Sequence, residues 1–198
     1  MREACELVGS KYFDIKTKRL EDVCEILDYK RKPISKNKRI KGIYPYYGAN
    51  GVQDYVNDYI FDGTYILMGE DGSVIDKNNN PILHWVDDKK IWVNNHAHVL
   101  KNLNNEINLK YVFYYLSTCD VSSIVKGTPP KINQGNLRKI RILIPPINVQ
   151  EYVVSILDKF DMLVNNINDG LPKEIELRQK QYEYYREKLL DFPRKEIS

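Results

Sequence analysis

Residues 140–154 read Ile-Arg-Ile-Leu-Ile-Pro-Pro-Ile-Asn-Val-Gln-Glu-Tyr-Val-Val, and the hydrophobic period changes partway along. Ile140 to Ile144 alternates like a strand and stops at Pro145-Pro146, because proline cannot donate to a sheet ladder. From Gln150 to Ile167 the apolar residues Val153, Val154, Leu157, Phe160 and Val164 recur at a helical period. A domain boundary is therefore expected near residue 147. The pattern predicts an α+β chain: residues 1–147 form a globular domain with a twisted, mixed β-sheet and flanking helices, and residues 148–198 form a helical region.

The segments before the boundary are short and punctuated by turns. Glu3 to Val8 has a helix-like start, and Leu20, Val23, Cys24 and Leu27 mark a second amphipathic stretch. Tyr29 to Lys41 is basic, carries Pro33 and reads as an extended arm or loop. Tyr44-Pro45-Tyr46-Tyr47 runs into Gly48-Ala49-Asn50-Gly51, whose Asn-Gly dipeptide is a tight-turn signal. Strand signals follow at Tyr59–Phe61, Tyr65–Met68, Leu83–Val86, Ile91–Val93 and Ala97–Leu100. Turns at Gly69–Ser73 and Asn78–Pro81 separate some of them. Leu109 to Leu116 has a helical pattern with Val112, Phe113 and Leu116 on one face.

Composition narrows the function classes. The formal charge of +3 is too small to argue for nucleic acid, so its distribution matters more. Lys30 to Lys41 holds seven Lys or Arg and no acid, and Lys126 to Arg141 holds five and again no acid. Such runs are either solvated surface or phosphate contacts. Cys5, Cys24 and Cys119 are widely spaced, which argues against a disulfide framework or a zinc site and suits a reducing cytoplasm. No apolar run is long enough to span a bilayer, and no signal-peptide core opens the chain, so a cytoplasmic protein without membrane contact is expected.

Catalytic patterns are weak. Pro145-Pro146 is flanked by Ile144 and Ile147, so it lacks the polar residue that an adenine methyltransferase tetrad needs. Gly69-Glu70-Asp71-Gly72 puts two acids where a phosphate cradle would need none. His96 and His98 form an H-x-H pair without an evident third metal ligand, and read as a polar pair bonded to backbone near a turn. Glu70, Asp71 and Asp76 lack the companion lysine of a metal-dependent nuclease. The chain is expected to be non-catalytic, with no cofactor and no metal.

Nucleic-acid binding fits better. Phosphates are held by mobile cations, and Lys30, Arg31, Lys32, Lys36, Lys38 and Arg39 supply them. Bases are read by amide, hydroxyl and small loop side chains, for which Asn50, Gln53, Thr128, Asn133, Gln134 and Asn136 are candidates, with Lys126 and Lys131 beside them. At the other end of the chain, Leu171, Ile175, Arg178, Tyr182, Tyr185, Leu189 and Phe192 alternate steps of four and three, a heptad seam. A helix from about Pro172 to Asp191 would be roughly 30 Å long. Arg178 within the seam asks for an acidic partner, which favours an intermolecular antiparallel pairing over packing within the chain.

Taken in order, several stretches resemble the target recognition domain of type I restriction–modification specificity (S) subunits. They are Tyr46-Tyr47-Gly48-Ala49-Asn50-Gly51, Asp62-Gly63-Thr64-Tyr65-Ile66-Leu67, Gly69-Glu70-Asp71-Gly72-Ser73-Val74 and Trp92-Val93-Asn94-Asn95-His96-Ala97-His98-Val99. Gly127–Asn133, Ile144-Pro145-Pro146 with Gln150, and Glu174–Arg186 are similar to the end of that domain and the helical spacer behind it. The resemblance implies that residues 1–147 bind double-stranded DNA, with Tyr47 among the contacting residues. It also implies that residues 148–198 form an antiparallel coiled coil with a second copy or another half-length specificity subunit. The family's usual member carries two recognition domains and two spacers, and this chain reads as a half-length form with one of each. Implied partners are methyltransferase (M) subunits and, further, restriction (R) subunits. The S subunit itself is non-catalytic and directs the others to a bipartite target. The other reading is a truncated or exchangeable fragment that occupies methyltransferase subunits as a regulatory module.

Overall fold

A computed structural model describes residues 6–11, 14–161 and 180–181. The seam positions from Leu171 to Phe192, together with Val164, lie outside the described residues. Contacts divide the chain into two units, Met1–Val154 and Ser155–Ser198. The first unit carries the sheet.

Eight strands are described: β1 (Lys16–Arg19), β2 (Cys24–Ile26), β3 (Lys41–Gly48), β4 (Gly51–Val56), β5 (Phe61–Gly69), β6 (Leu83–Val93), β7 (Ala97–Asn102) and β8 (Arg141–Ile144). Six form one sheet in the order β2-β7-β5-β6-β3-β4, while β1 pairs with β8 apart from it. Every pairing is antiparallel except β3 with β6, where Tyr46 opposes Trp92 and Tyr47 opposes Val93 in parallel. The sheet is thus mixed, and with the helices packed on it the unit is of α+β build.

The centre of the sheet explains the apolar run on β5. Ile66 and Met68 face one core cluster, and Tyr65 and Leu67 face the other. Successive side chains on a strand point to opposite faces, so a strand buried on both sides has no polar face to show. The first cluster is covered by α1 (Leu109–Leu116), whose Leu109, Val112 and Leu116 are buried. The Asn108 side chain caps this helix by accepting from the Lys110 and Tyr111 N–H groups. That places the sequence-predicted helix on the residues expected for it.

Two segments differ from their sequence patterns. Leu20, Val23, Cys24 and Leu27 are all core, yet they lie on a 3-10 turn (Leu20–Asp22) and on and around β2. Pairing of β2 with β7 supplies the backbone partners that a helix would otherwise have to make internally. Leu83–Val86 and Ile91–Val93 belong to one strand, β6, rather than two. The exposed Asp87-Asp88-Lys89-Lys90 between them is accommodated by a register shift opposite Gly63–Tyr65 and by a positive φ at Asp88. Cys24 and Cys119 are free thiols, and burial pushes the Cys24 thiol up to about 12.

After Pro145-Pro146 a helix opens at residue 147 and is described through residue 161. Its first turn is tied to the globular unit by Gln150, whose side chain is fully buried. Gln150 Oε1 accepts from the Asn108 N–H at 2.9 Å, and Nε2 donates to the carbonyls of Glu106 (3.0 Å) and Pro145 (2.9 Å). Val153 and Val154 then pack against the first core cluster. Gln150→Ala strands three inward-facing backbone groups and should cost about 2–4 kcal/mol in urea unfolding. Glu151→Ala, one residue on and exposed, should stay within about 0.5 kcal/mol of the wild type.

Candidate nucleic-acid interface

Four loops meet beyond one end of the sheet. The β3–β4 hairpin turns at Ala49-Asn50, with Gly48 opposite Gly51. Gly51 takes φ +93°, which an L side chain rarely adopts, and a Cβ there would also press on the His84 ring at 3.2 Å. His84 Nε2 in turn bonds the Ala49 carbonyl at 3.0 Å, so the turn is held from below. Gly48 leaves space for the Gln53 side chain to fold back over the ribbon; a Cβ there would lie 2.2 Å from Gln53 Nε2.

From Gln53 a polar chain runs across the loops. The Asn94 side-chain amide donates to Gln53 Oε1 at 3.3 Å, and Asn94 Oδ1 accepts from the His96 N–H at 2.8 Å. His96 Nδ1 bonds Asp71. Asp71 pairs across a β-bridge with Lys131, and the Gly72 N–H donates to the Pro130 carbonyl at 3.0 Å. Lys126 and Lys131 exchange backbone hydrogen bonds of 2.9 and 2.8 Å, which closes the exposed turn Gly127-Thr128-Pro129-Pro130. Loops 49–53, 70–73, 94–96 and 126–131 are thereby neighbours.

The sequence-predicted residues separate into two groups. Asn50, Gln53, Lys126, Thr128, Lys131 and Asn133 are exposed, and Tyr47 is half-buried beside His84. Burial, and then the neighbouring Tyr55, hold the Tyr47 phenol above its ordinary range. Lys30, Lys32, Lys36 and Lys38 on the basic arm are exposed as well. The arm is anchored by the Lys32 N–H donating to the Val93 carbonyl and by Trp92 Nε1 donating to the Lys32 carbonyl. Asn133 accepts from the Asn136 N–H and so caps the short helix α2 (Gln134–Leu137), while Asn136 donates to the Ile124 carbonyl.

The two arginines of the arm are engaged inside the protein. Arg39 lies over the Tyr46 ring at 4.1 Å, donates to the Ile34 carbonyl and pairs with Asp54 at 3.3 Å. The Arg31 side chain is 12% exposed. It contacts Glu70 Oε2 at 2.6 Å, Asp28 Oδ2 at 3.4 Å and the Ala97 carbonyl at 2.8 Å. Around it His98 Nδ1 bonds Asp28 Oδ2 at 2.6 Å, Gln134 Nε2 donates to the same oxygen at 3.2 Å, and Lys131 Nζ reaches Glu70 Oε1 at 3.0 Å. Nothing in the local sequence marks Arg31 as inward-facing, since Glu70 lies far along the chain.

Asp28, Glu70 and His98 offer ligand atoms within 4.8 Å of one another, the spacing of a metal set. In this arrangement the donor atoms are already engaged within the protein. Both Glu70 oxygens already face cations, and both ring nitrogens of His98 are bonded, Nε2 to the Ile132 carbonyl at 2.8 Å. The group is an ion-pair cluster. Glu70, Asp71 and Asp76 do not converge: Asp76 instead accepts from the Asn78 and Asn80 N–H groups. The H-x-H pair also separates, with His98 fully buried on β7 and His96 exposed ahead of the strand. Asn94 and His96 are not among the binding residues expected from the sequence; the signals available for them are their place beside a tight turn and within the Trp92–Val99 stretch.

Comparison with known proteins fits this geometry. Residues 13–177 match the type I restriction modification DNA specificity domain, and the chain belongs to that family. It is 38% identical over 183 residues to a putative type I restriction enzyme specificity subunit of Haemophilus influenzae, covering 90% of this chain and 46% of that one. With the EcoR124I/EcoR124II specificity subunit of Escherichia coli it shares 44% identity over 98 residues, 47% of this chain and 24% of the other. The chain thus spans about half the length, or less, of these relatives. A crystal structure of the S subunit from M. genitalium superposes with a TM-score of 0.63 at 15% identity, over 84% of this chain and 44% of that one, and so shares the fold. The family is one of DNA specificity, and its specificity subunits are non-catalytic. Among the described residues no helix is long and apolar enough to cross a membrane.

The cluster makes stability depend on pH. Burial works to raise the Asp28 carboxyl, but the His98 hydrogen bond and charge, then Arg31 and the Val99 N–H, outweigh it and hold Asp28 below the usual carboxylate range. A carboxyl depressed in the folded state contributes stability above its unfolded pKa, about 3.9, and loses it as pH falls through the folded value. The unfolding free-energy gap between wild type and Asp28→Asn should therefore shrink as pH falls below about 4, as the Asp28 carboxylate of the wild type is protonated. Urea titrations at several pH values measure that gap.

Proposed function

We propose that this chain is a DNA sequence-recognition subunit of a type I restriction–modification complex. Its recognition domain reads one half-site of a bipartite target and directs methyltransferase, and further restriction, subunits to it. The observation that carries this reading is the convergence of four loops through the Gln53–Asn94–His96–Asp71 chain, beside the exposed Lys126 and Lys131. The exposed Gln53 amide and His96 imidazole, tied together by the buried Asn94, supply donors and acceptors for base edges in the major groove, where all four base pairs are distinguishable. The exposed lysines of the arm and of the 126–131 turn serve phosphates, which set position without reading sequence. Membership of a DNA specificity family supports the same assignment.

In this reading the second half-site belongs to a second recognition domain, supplied by another copy of the chain or another half-length specificity subunit. The heptad spacing from Leu171 to Phe192 supports a helical pairing between them. A spacer of roughly 30 Å corresponds to about nine base pairs at ~3.4 Å each, so the helices would set the gap between half-sites. A symmetric pair requires an inverted-repeat target.

Methylome sequencing of the host with and without the gene identifies the target, and footprinting with the methyltransferase partner then tests the reading. Protection of one asymmetric half-site would rule out the symmetric pair. Lys36→Ala with Lys38→Ala should weaken binding alike on all sequences and reduce the salt slope by about 1.8, or about 0.9 per lost phosphate contact. Gln53→Ala should instead relax preference at one base position, with a cost of about 1–3 kcal/mol on the preferred sequence. Glu at both Tyr182 and Leu189 should yield monomers in sedimentation; an unchanged dimer would place the seam in internal packing.

A further inference from the structure

We propose that His98 is the positioning residue of the 126–134 loop: its buried ring, oriented by Asp28, holds Ile132 and so fixes Lys126, Thr128 and Lys131 for contact with DNA. The DNA part of this inference rests on the function proposed above, and the loop-fixing part stands independently of it.

A fully buried histidine among Ala97, Val99 and Leu100 is costly unless both nitrogens are bonded, because a polar atom inside a sheet has no water to turn to. Here each nitrogen faces an acceptor, Asp28 Oδ2 at 2.6 Å and the Ile132 carbonyl at 2.8 Å. The ring is not free to choose its angle. Asp28 is itself held by the Val99 N–H (3.1 Å), Gln134 Nε2 (3.2 Å) and Arg31 (3.4 Å). Glu70 Oε2 lies 3.6 Å from Nδ1 and is fixed by Arg31, while Lys131 closes the far side of the same carboxylate.

The loop side is equally directed. Ile132 is buried, its N–H donates to the Glu70 carbonyl at 2.8 Å, and its own carbonyl receives His98. Both backbone groups of one residue are therefore seated on the sheet frame. Lys131 precedes it directly, and Lys126 is bonded back to back with Lys131, so the exposed Gly127–Pro130 turn takes its position from Ile132. A leucine would fill the space that His98 fills, but it could not aim a donor at that carbonyl.

Two variants of the full chain separate aiming from filling. Glutamine carries its amide donor near the place of Nε2, whereas asparagine ends near Nδ1. In hydrogen exchange, His98→Gln should keep protection of the Lys126, Lys131 and Ile132 amides within about threefold of wild type. His98→Asn should lose about tenfold in protection and in affinity for target DNA, the size of one buried hydrogen bond. The Ile66 and Met68 amides of β5 should hold their protection in both. Equal behaviour of the two variants, or a loss spread evenly to β5, would overturn the positioning role. Loosening without loss of affinity would leave positioning in place and overturn the loop's part in DNA reading. In the wild type, a 1H–15N spectrum should show the Nε2 proton shielded from solvent exchange; its absence overturns the proposal without any variant.

Discussion

The ion-pair cluster of Asp28, Arg31, Glu70 and His98 is the constraint on which the loop-bearing end of the domain depends. Each of these charged or polar groups, left alone in a low-dielectric interior, would cost several kcal/mol. Together they offset one another, but only if four separate segments arrive at the same place. Asp28 and Arg31 follow β2, Glu70 follows β5, His98 lies in β7, and Lys131 and Gln134 come from the segment before β8, the latter at the start of α2. Removing one member leaves its partner buried and unmatched. The cluster therefore discriminates strongly between the native arrangement of these segments and any slipped one.

Where the cluster sits decides what it organises. The strands β5 and β7 are apolar through their middles and become polar at the end where Gly69 opposes Ala97. Loops leaving that end have lost the regular ladder, and their backbone groups need other partners. The Glu70 N–H finds the His96 carbonyl, the Ile132 N–H finds the Glu70 carbonyl, and the Gly72 N–H finds the Pro130 carbonyl. A surface made of loops thus acquires fixed geometry. Base-edge readout of the kind proposed needs such a fixed mount, because bidentate contacts tolerate little displacement.

Much of the frame was legible in the amino-acid sequence, because its signals are local. The period of α1, the alternation of β8 and its stop at Pro145-Pro146, and the Ala49-Asn50-Gly51 turn are each decided within a few residues. β6 was less legible, since its four charged residues look like a break until β5 is known to shift register beside them. Leu20 to Leu27 has spacing that serves a helix or a mixed turn and strand, and only its pairing with β7 decides. The binding side was legible as a set of residue types and not as a geometry. Arg31 and Lys32 are adjacent and equally basic, yet one is tied to Glu70 and the other is exposed. That difference is set by a carboxylate 39 positions away, and no local pattern contains it. His96 and His98 part company for the same reason, one ahead of the strand and one within it.

The attachment of the β3–β4 ribbon has a consequence for descent. Its parallel ladder to the sheet consists of two residue pairs, Tyr46 with Trp92 and Tyr47 with Val93. The tip that carries Asn50 and Gln53 lies past those pairs, and none of the cluster's charges come from it. Substitutions at the tip therefore alter an exposed surface without disturbing the charges that hold the frame. Under the proposed function, a lineage could reach new target sequences through this ribbon while the folding of the domain is left alone.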